Sequence, residues 1–194
     1  MQIDNSTAIV DNDFVNHLVD SKISDELLTS NLLYIFNSLK LNAVVHPLVY
    51  EHEVLLDKKR IQLLFQKTII QQVAFDDVFE CNSDAEAYYC YLVSELYGHL
   101  KGTEFPAVGR DILTYWKRRE SLGEIHSMSM CMICGCGIFF SDDSDSKKLA
   151  KYIIQKSLGK VDVYDRNEMI DKYMEVDETS RIPRKIRRAL CHLG

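Results

Sequence analysis

"GEIHSMSMCMICGCGIFFSDDSDSKKLA", Gly123–Ala150, combines apolar runs with acids at both ends. Glu124 opens the cysteine-rich part, and Asp142, Asp143 and Asp145 follow "GIFF" directly. The spacing predicts a helix from about Leu122 to Cys134, a short buried strand at "GIFFS", and a second helix over "SDSKKLAKYIIQKSL". A strand set between helices, with acids just past its end, points to an α/β sheet whose strand termini carry polar groups.

The same alternation runs outward in both directions. "STAIVDND" predicts a short buried strand ending at Asp11, and the helix that follows turns Phe14, Val15 and Leu18 inward. "SDELLTSNLLYIFNSLK" has helical spacing, with Ser24 as its cap and Leu28, Leu32, Tyr34/Ile35 and Leu39 on the apolar face. "NAVV" is a second strand, and "HPLVYEHEVLL" a helix with Pro47 in its first turn, where a missing N–H costs little. Lys58–Lys67 extends or follows as helix, and "TIIQQVAF" has strand composition. "SDAEAYYCYLVSELYGHLK" is a helix opened by a Ser83/Glu86 capping box. "GTEFPAVG" reads as loop, "RDILTYWKRRE" as helix, "KVDVY" as strand and "RNEMIDKYMEV" as helix. Strands alternating with helices define an α/β domain around a mostly parallel sheet.

At 194 residues, 46% apolar and 27% charged, the chain is expected to form one domain over about 1–180 with a short tail. The first residues show no basic and apolar leader, and no apolar run approaches the roughly 20 residues of a membrane helix. The six cysteines are then expected to be reduced thiols of a cytoplasmic protein. The net charge of −6 hides an asymmetry, because residues 181–194 hold five of the 23 basic residues and none of the 29 acids. That tail has the pattern of a basic amphipathic helix, suited to RNA, to an oligomer contact or to packing on its own domain. An acidic body argues against binding nucleic acid by bulk charge, so a polyanionic substrate would need local basic patches or bound cations.

Strand ends bring Asp11 and Asp142/Asp143 to one edge of the expected sheet, and Glu124 joins them. Clustered carboxylates raise one another's pKa unless a cation or hydrogen-bond donors stabilise their charged forms. Three or more hard oxygen donors suit Mg²⁺ or Mn²⁺, which retain waters and leave room for a substrate phosphate. Each acid also has a structural alternative. Asp11 stands where it would cap the next helix, Glu124 has capping-box spacing from Ser121, and Asp142, Asp143 and Asp145 suit a helix start.

In order, "AIVDNDFVNHL", "HPLVYEHEVL", "SLGEIHSMSMC", "GIFFSDDSDSKKLA" and "KVDVYDRNEMI" resemble a PIN domain over roughly residues 7 to 175, nearest the subgroup with a "GE" helix followed by a strand and "SDD". The resemblance implies a three-layer α/β/α sandwich, a parallel sheet in the order 3-2-1-4-5, and metal-dependent ribonuclease activity at a carboxylate cluster. Position by position, it implies Asp11 as first acid and Glu51 or Glu53 as second. Two residues apart on a helix are nearly opposite faces, and Glu51 is preferred. Glu124 is the third acid and Asp143 the fourth, with Asp142 its rival, Asp145 a supporting ligand and Asp13 an accessory. The implied metal set is thus Asp11, Glu124, Asp143 and Asp145.

Residues 58 to 120 exceed the compact family pattern and read as a helical insertion. Its end, "YWKRRESLGE", offers Lys117, Arg118 and Arg119 as phosphate contacts and Tyr115 and Trp116 for stacking on a base; a solvated helix face with a core tryptophan is the alternative. The resulting expectation is a Mg²⁺/Mn²⁺-dependent endoribonuclease, toxin-like and held by an inhibitory protein partner in some relatives. A PIN-like module that binds RNA or protein without hydrolysis is the other reading.

"CMICGC" contains a C-x₂-C pair, half of a zinc site, with His126 five residues before Cys131, but at a helix end these cysteines are expected to pack as small hydrophobes. The other histidines, at 17, 46, 52, 99 and 192, show no spacing that suggests a nucleophile pair, and no glycine-rich nucleotide loop is present.

Overall fold

Thr7–Val10 forms β1, and all four of its residues are buried. A strand covered on both faces reads as an uninterrupted apolar run, and this one is the centre of the sheet. The structure, a computed structural model, describes residues 6–19, 24–54, 59–79 and 83–176. The basic tail, 181–194, lies outside them.

After β1 come α1 (Asn12–Val19), α2 (Asp25–Ser38), β2 (Asn42–Val45), α3 (Pro47–His52) and α4 (Lys59–Gln66). β3 (Ile70–Gln72), α5 (Phe75–Phe79) and α6 (Ser83–Lys101) follow, then a 3-10 turn at Gly109–Leu113. The chain continues through α7 (Leu122–Cys134), β4 (Ile138–Phe140), α8 (Ser144–Gln155), β5 (Asp162–Tyr164) and α9 (Arg166–Val176).

The five strands are all parallel in the order β3-β2-β1-β4-β5. Side chains alternate across them, as the pleat requires. Ala8, Val10, Ala43, Val45 and Phe140 face one core, which α1, α2, α4 and α9 complete with Phe14, Leu28, Leu32, Ile61 and Ile170. Ile9, Val44 and Phe139 face the other, closed by α5 to α8 with Tyr89, Leu96, Ile125 and Leu149. This is the three-layer α/β sandwich and strand order expected from the sequence. Among the described residues no helix is long and apolar enough to cross a membrane.

Two local expectations change. The segment 58–120 is not only an addition to the fold, since it contributes the edge strand β3 and, through α6, fully buried Tyr89, Leu92, Val93 and Leu96. Of residues 110–120, expected as one helix, only 110–113 are helical, in the 3-10 turn. After the 3-10 turn the chain runs irregularly to Ser121, with Arg119 (φ 65°) and Ser121 (φ 53°) in the left-handed region. Packing outweighs propensity here: Ile112 and Leu113 are buried, and the Trp116 ring stacks on His52 at 5.0 Å, which a continuous helix would not allow as well.

Candidate active-site cleft

The carboxyl ends of β1, β2 and β4 deliver Asp11, His46 and Ser141 to one edge. Asp11 extends the β1–β4 ladder, donating its N–H to the Phe140 carbonyl at 2.9 Å, so its side chain is set by the sheet itself. Its carboxylate is 2% exposed; Oδ1 accepts from the Asn12 N–H at 2.8 Å and Oδ2 from the Ser141 hydroxyl at 3.2 Å. Ser141 in turn accepts from the Asp143 N–H (3.1 Å) and the Ser146 hydroxyl (2.9 Å), so one buried hydroxyl ties Asp11 to the start of α8.

Glu124 enters from the first turn of α7 and is 8% exposed. The capping-box alternative does not hold. Ser121 sits in a left-handed conformation and makes no side-chain cap bond; its hydroxyl instead donates to Asp145 and accepts from Lys101. Gly123, beside Glu124, lets α3 come close. A Cβ built there would lie 3.4 Å from Val49, 3.5 Å from Glu53 Oε1 and 3.6 Å from Asp11 Oδ1. Two carboxylates from different elements therefore approach one point on α7.

Of the two candidates for the second acid, Glu53 and not the preferred Glu51 faces the cleft. Glu51 is exposed, whereas Glu53 lines a cleft of about 420 Å³ together with Asp13, Glu124 and Asp143. The two side chains do point apart, but α3 is only six residues long and Glu53 is its C-cap, off the helical path at φ −121°, ψ −56°. Pro47 fixes where the helix starts, not which of its acids turns inward.

The aspartates after β4 divide in the same way. Asp143 caps α8, its Oδ1 accepting the Asp145 N–H at 2.7 Å, and also lines the cleft. Asp142 is corrected to a structural role: Oδ1 accepts the Arg166 N–H at 3.1 Å and Oδ2 lies 2.5 Å from Arg166 Nε, a close ion contact without hydrogen-bond alignment. Asp145 is likewise not a free ligand. Lys148 donates to its Oδ1 at 2.6 Å and Ser121 to its Oδ2 at 3.1 Å, and these bonds hold its carboxyl below the usual range.

Basic side chains also cover the acids at the β5 end of this edge, where Lys147 bridges Asp165 and Glu168 at 3.0 and 2.9 Å. Among the described residues, no Lys or Arg pairs with Asp11 or Glu124. The electrostatic result is distinct. Burial, then the charges of Glu124, Glu53 and Asp13, push the Asp11 carboxyl well above its ordinary value, against the pull of the Asn12 N–H. Burial chiefly raises Glu124 to about 7; Asp143, Asp13 and Asp145 add to this and its own backbone N–H opposes it.

Lys117, Arg118 and Arg119 line the same cleft from the irregular turn, as do Trp116 and His52. Lys117 bonds Glu120 Oε1 at 2.5 Å, and Tyr97 donates to Glu120 Oε2 at 3.0 Å, which anchors the turn. The two rings expected to stack on a base are already engaged: Trp116 on His52, and Tyr115 edge-on to Phe105 at 5.2 Å. A larger groove, about 550 Å³ between α6 and the 102–108 loop, contains none of the clustered acids.

No group of three or more His, Cys, Asp or Glu side chains among the described residues is placed to hold a metal ion by itself. The donor chemistry suits a hard cation, and the geometry is that of two carboxylates, of Asp11 and Glu53, near one point. Cys131, Cys134 and Cys136 are free thiols. A hydrogen bond with Cys136 and burial push the Cys134 thiol up, and a hydrogen bond with Cys131 and burial push Cys136 up against the opposing effect of Cys134.

Sequence reasoning missed Ser141, Gly123, Asn12 and His52. Ser141 had one signal, its position between a buried strand and an acidic helix start. Asn12 lines the cleft with a buried Oδ1 that has no hydrogen-bond partner. Compared with known proteins, the chain matches no family model, no curated protein and no solved structure.

Proposed function

We propose that this chain is a PIN-like, Mg²⁺- or Mn²⁺-dependent endoribonuclease acting in the cleft between α3, α7 and the 117–121 turn. One observation carries the reading. On this sheet edge Asp142, Asp145, Asp165 and Glu168 pair with lysine or arginine, whereas buried Asp11 and Glu124 pair with none among the described residues. A missing positive charge at that point is what a bound divalent ion would supply.

No more than two of Asp11, Glu53 and Glu124 would bind the ion directly in this arrangement, with the third and Asp143 accepting from its waters. The ion, when bound, supplies an activated water and stabilises charge developing on phosphorus-bound oxygens. The chain's own residues do the rest. Ser141 and the Asn12 N–H fix the Asp11 carboxylate, so that it pays no reorganisation on binding. Lys117, Arg118 and Arg119 provide the phosphate contacts that an acidic body otherwise lacks.

Cleavage of a panel of single-stranded and structured RNAs, with Mn²⁺, Mg²⁺ or EDTA, tests the proposal. Asp11→Asn and Glu124→Gln should each lower metal-dependent cleavage by about 100-fold or more. Asp11→Asn cleaving as fast as wild type would refute it. The competing reading, a PIN-like module that binds RNA or protein without hydrolysis, retains the basic turn and dispenses with the ion. It would be favoured by RNA binding with no Mn²⁺ heat in calorimetry.

A further inference from the structure

Beneath the cleft, three polar side chains are fully buried in an otherwise apolar core: His46, Tyr89 and His126. The Tyr89 hydroxyl lies 2.8 Å from His46 Nε2 and 2.6 Å from His126 Nδ1. The direction of every bond follows from one end. The Leu48 N–H donates to His46 Nδ1 at 3.1 Å, so that nitrogen is an acceptor and Nε2 carries the proton. His46 then donates to Tyr89, Tyr89 donates to His126 Nδ1, and His126 Nε2 carries the remaining hydrogen, for which no partner exists among the described residues. Both rings are neutral, in keeping with burial driving His46 and His126 well below the usual histidine range.

The three residues belong to different elements. His46 is the N-cap of α3, whose C-cap is Glu53. His126 is two residues after Glu124 on α7, so the two side chains leave nearly opposite faces of that helix. Tyr89 belongs to α6 and is surrounded by Phe75 and Phe79 of α5, at ring distances of 5.9 and 5.5 Å. A buried network that ends in an unpaired donor is a poor source of stability compared with apolar packing. What it does provide is a fixed length and direction between α3 and α7.

We infer that Tyr89 is a positioning residue, whose hydroxyl sets α3 against α7 and thereby the approach of Glu53 and Glu124 across Gly123. The helical segment before the cleft is then part of the site's frame. The link to catalysis rests on the nuclease reading given above; the link to geometry does not.

The test compares wild type with Tyr89→Phe, Phe79→Leu and Asp11→Asn, using crystal structures, Mn²⁺ calorimetry and RNA cleavage. Tyr89→Phe should move Glu53 Oε1 out of contact with Gly123 and weaken Mn²⁺ binding about tenfold, with kcat falling more than KM changes. Phe79→Leu removes only ring packing and should lower Tm while leaving the carboxylates and Mn²⁺ affinity unchanged. Should Tyr89→Phe not fold, His126→Asn, which keeps an acceptor for the tyrosine, and His126→Leu, which does not, carry the same comparison. Glu53 and Glu124 staying in place in Tyr89→Phe, or in both His126 variants, overturns the inference. A wild type that neither binds Mn²⁺ nor cleaves RNA overturns the nuclease reading instead, and the crystallographic comparison still decides the role of Tyr89.

Discussion

The Ser141 hydroxyl donates to Asp11 Oδ2 across 130 residues of chain, while accepting from the Asp143 N–H and the Ser146 hydroxyl. One donor and two acceptors exhaust its bonding capacity, so the strand-end carboxylate and the start of α8 share one anchor. Ser141→Ala should leave the Asp143 N–H and Ser146 hydroxyl unpaired and cost about 1–3 kcal/mol, read as a fall in the urea midpoint with m unchanged. Cleavage should fall too, because Asp11 loses a donor to its charged form.

Gly123 separates stability from function. Gly123→Ala meets only ordinary van der Waals distances and removes a helix glycine, so it should be neutral to stabilising by about 0.5–1 kcal/mol. Its methyl, however, would stand against Glu53 and Asp11. A raised Tm together with Mn²⁺ affinity reduced about tenfold or more is the expected pair of results. Unchanged Mn²⁺ affinity would argue against an ion between those carboxylates.

Without divalent ions, stability should depend on pH in an unusual sense. The folded Glu124 pKa, about 7, lies above the ordinary 4.5, and Asp11 is raised as well. A group whose folded pKa is raised stabilises fully below the unfolded value and loses that contribution as pH rises through the folded one. Between about pH 4.5 and pH 7, Glu124 therefore contributes a decline of at most about 1.4 kcal/mol per pH unit. Thermal melts in EDTA should show Tm falling across that window, Glu124→Gln should flatten the slope, and saturating Mn²⁺ should restore Tm at high pH.

Arg119 holds a left-handed φ of 65° in the basic turn, a conformation that strains non-glycine residues. Arg119→Gly should stabilise the fold by about 0.5–1 kcal/mol. It should also weaken RNA binding and reduce the slope of log affinity against log salt by about 0.7, the loss of one phosphate contact on a single strand. An unchanged slope would remove Arg119 from the interface.

The α/β class was legible from the sequence because buried parallel strands are continuous apolar runs, and "TAIV", "NAVV" and "GIFF" announce themselves without reference to neighbours; the strand order was implied by the PIN-domain resemblance alone. So was the gathering of acids at one edge, because residues just past strand ends must fall there. Which of those acids is buried without a basic partner was not legible. Asp11 and Asp142 look alike in sequence, yet the burial of one and the approach of Arg166 to the other depend on residues far along the chain. Glu51 and Glu53 differ only by where a six-residue helix stops. The 110–120 segment has helical propensity and still bends, because Trp116 finds His52. Local pattern determined the elements and their edge; charge pairing and burial, which act across the fold, decided the site.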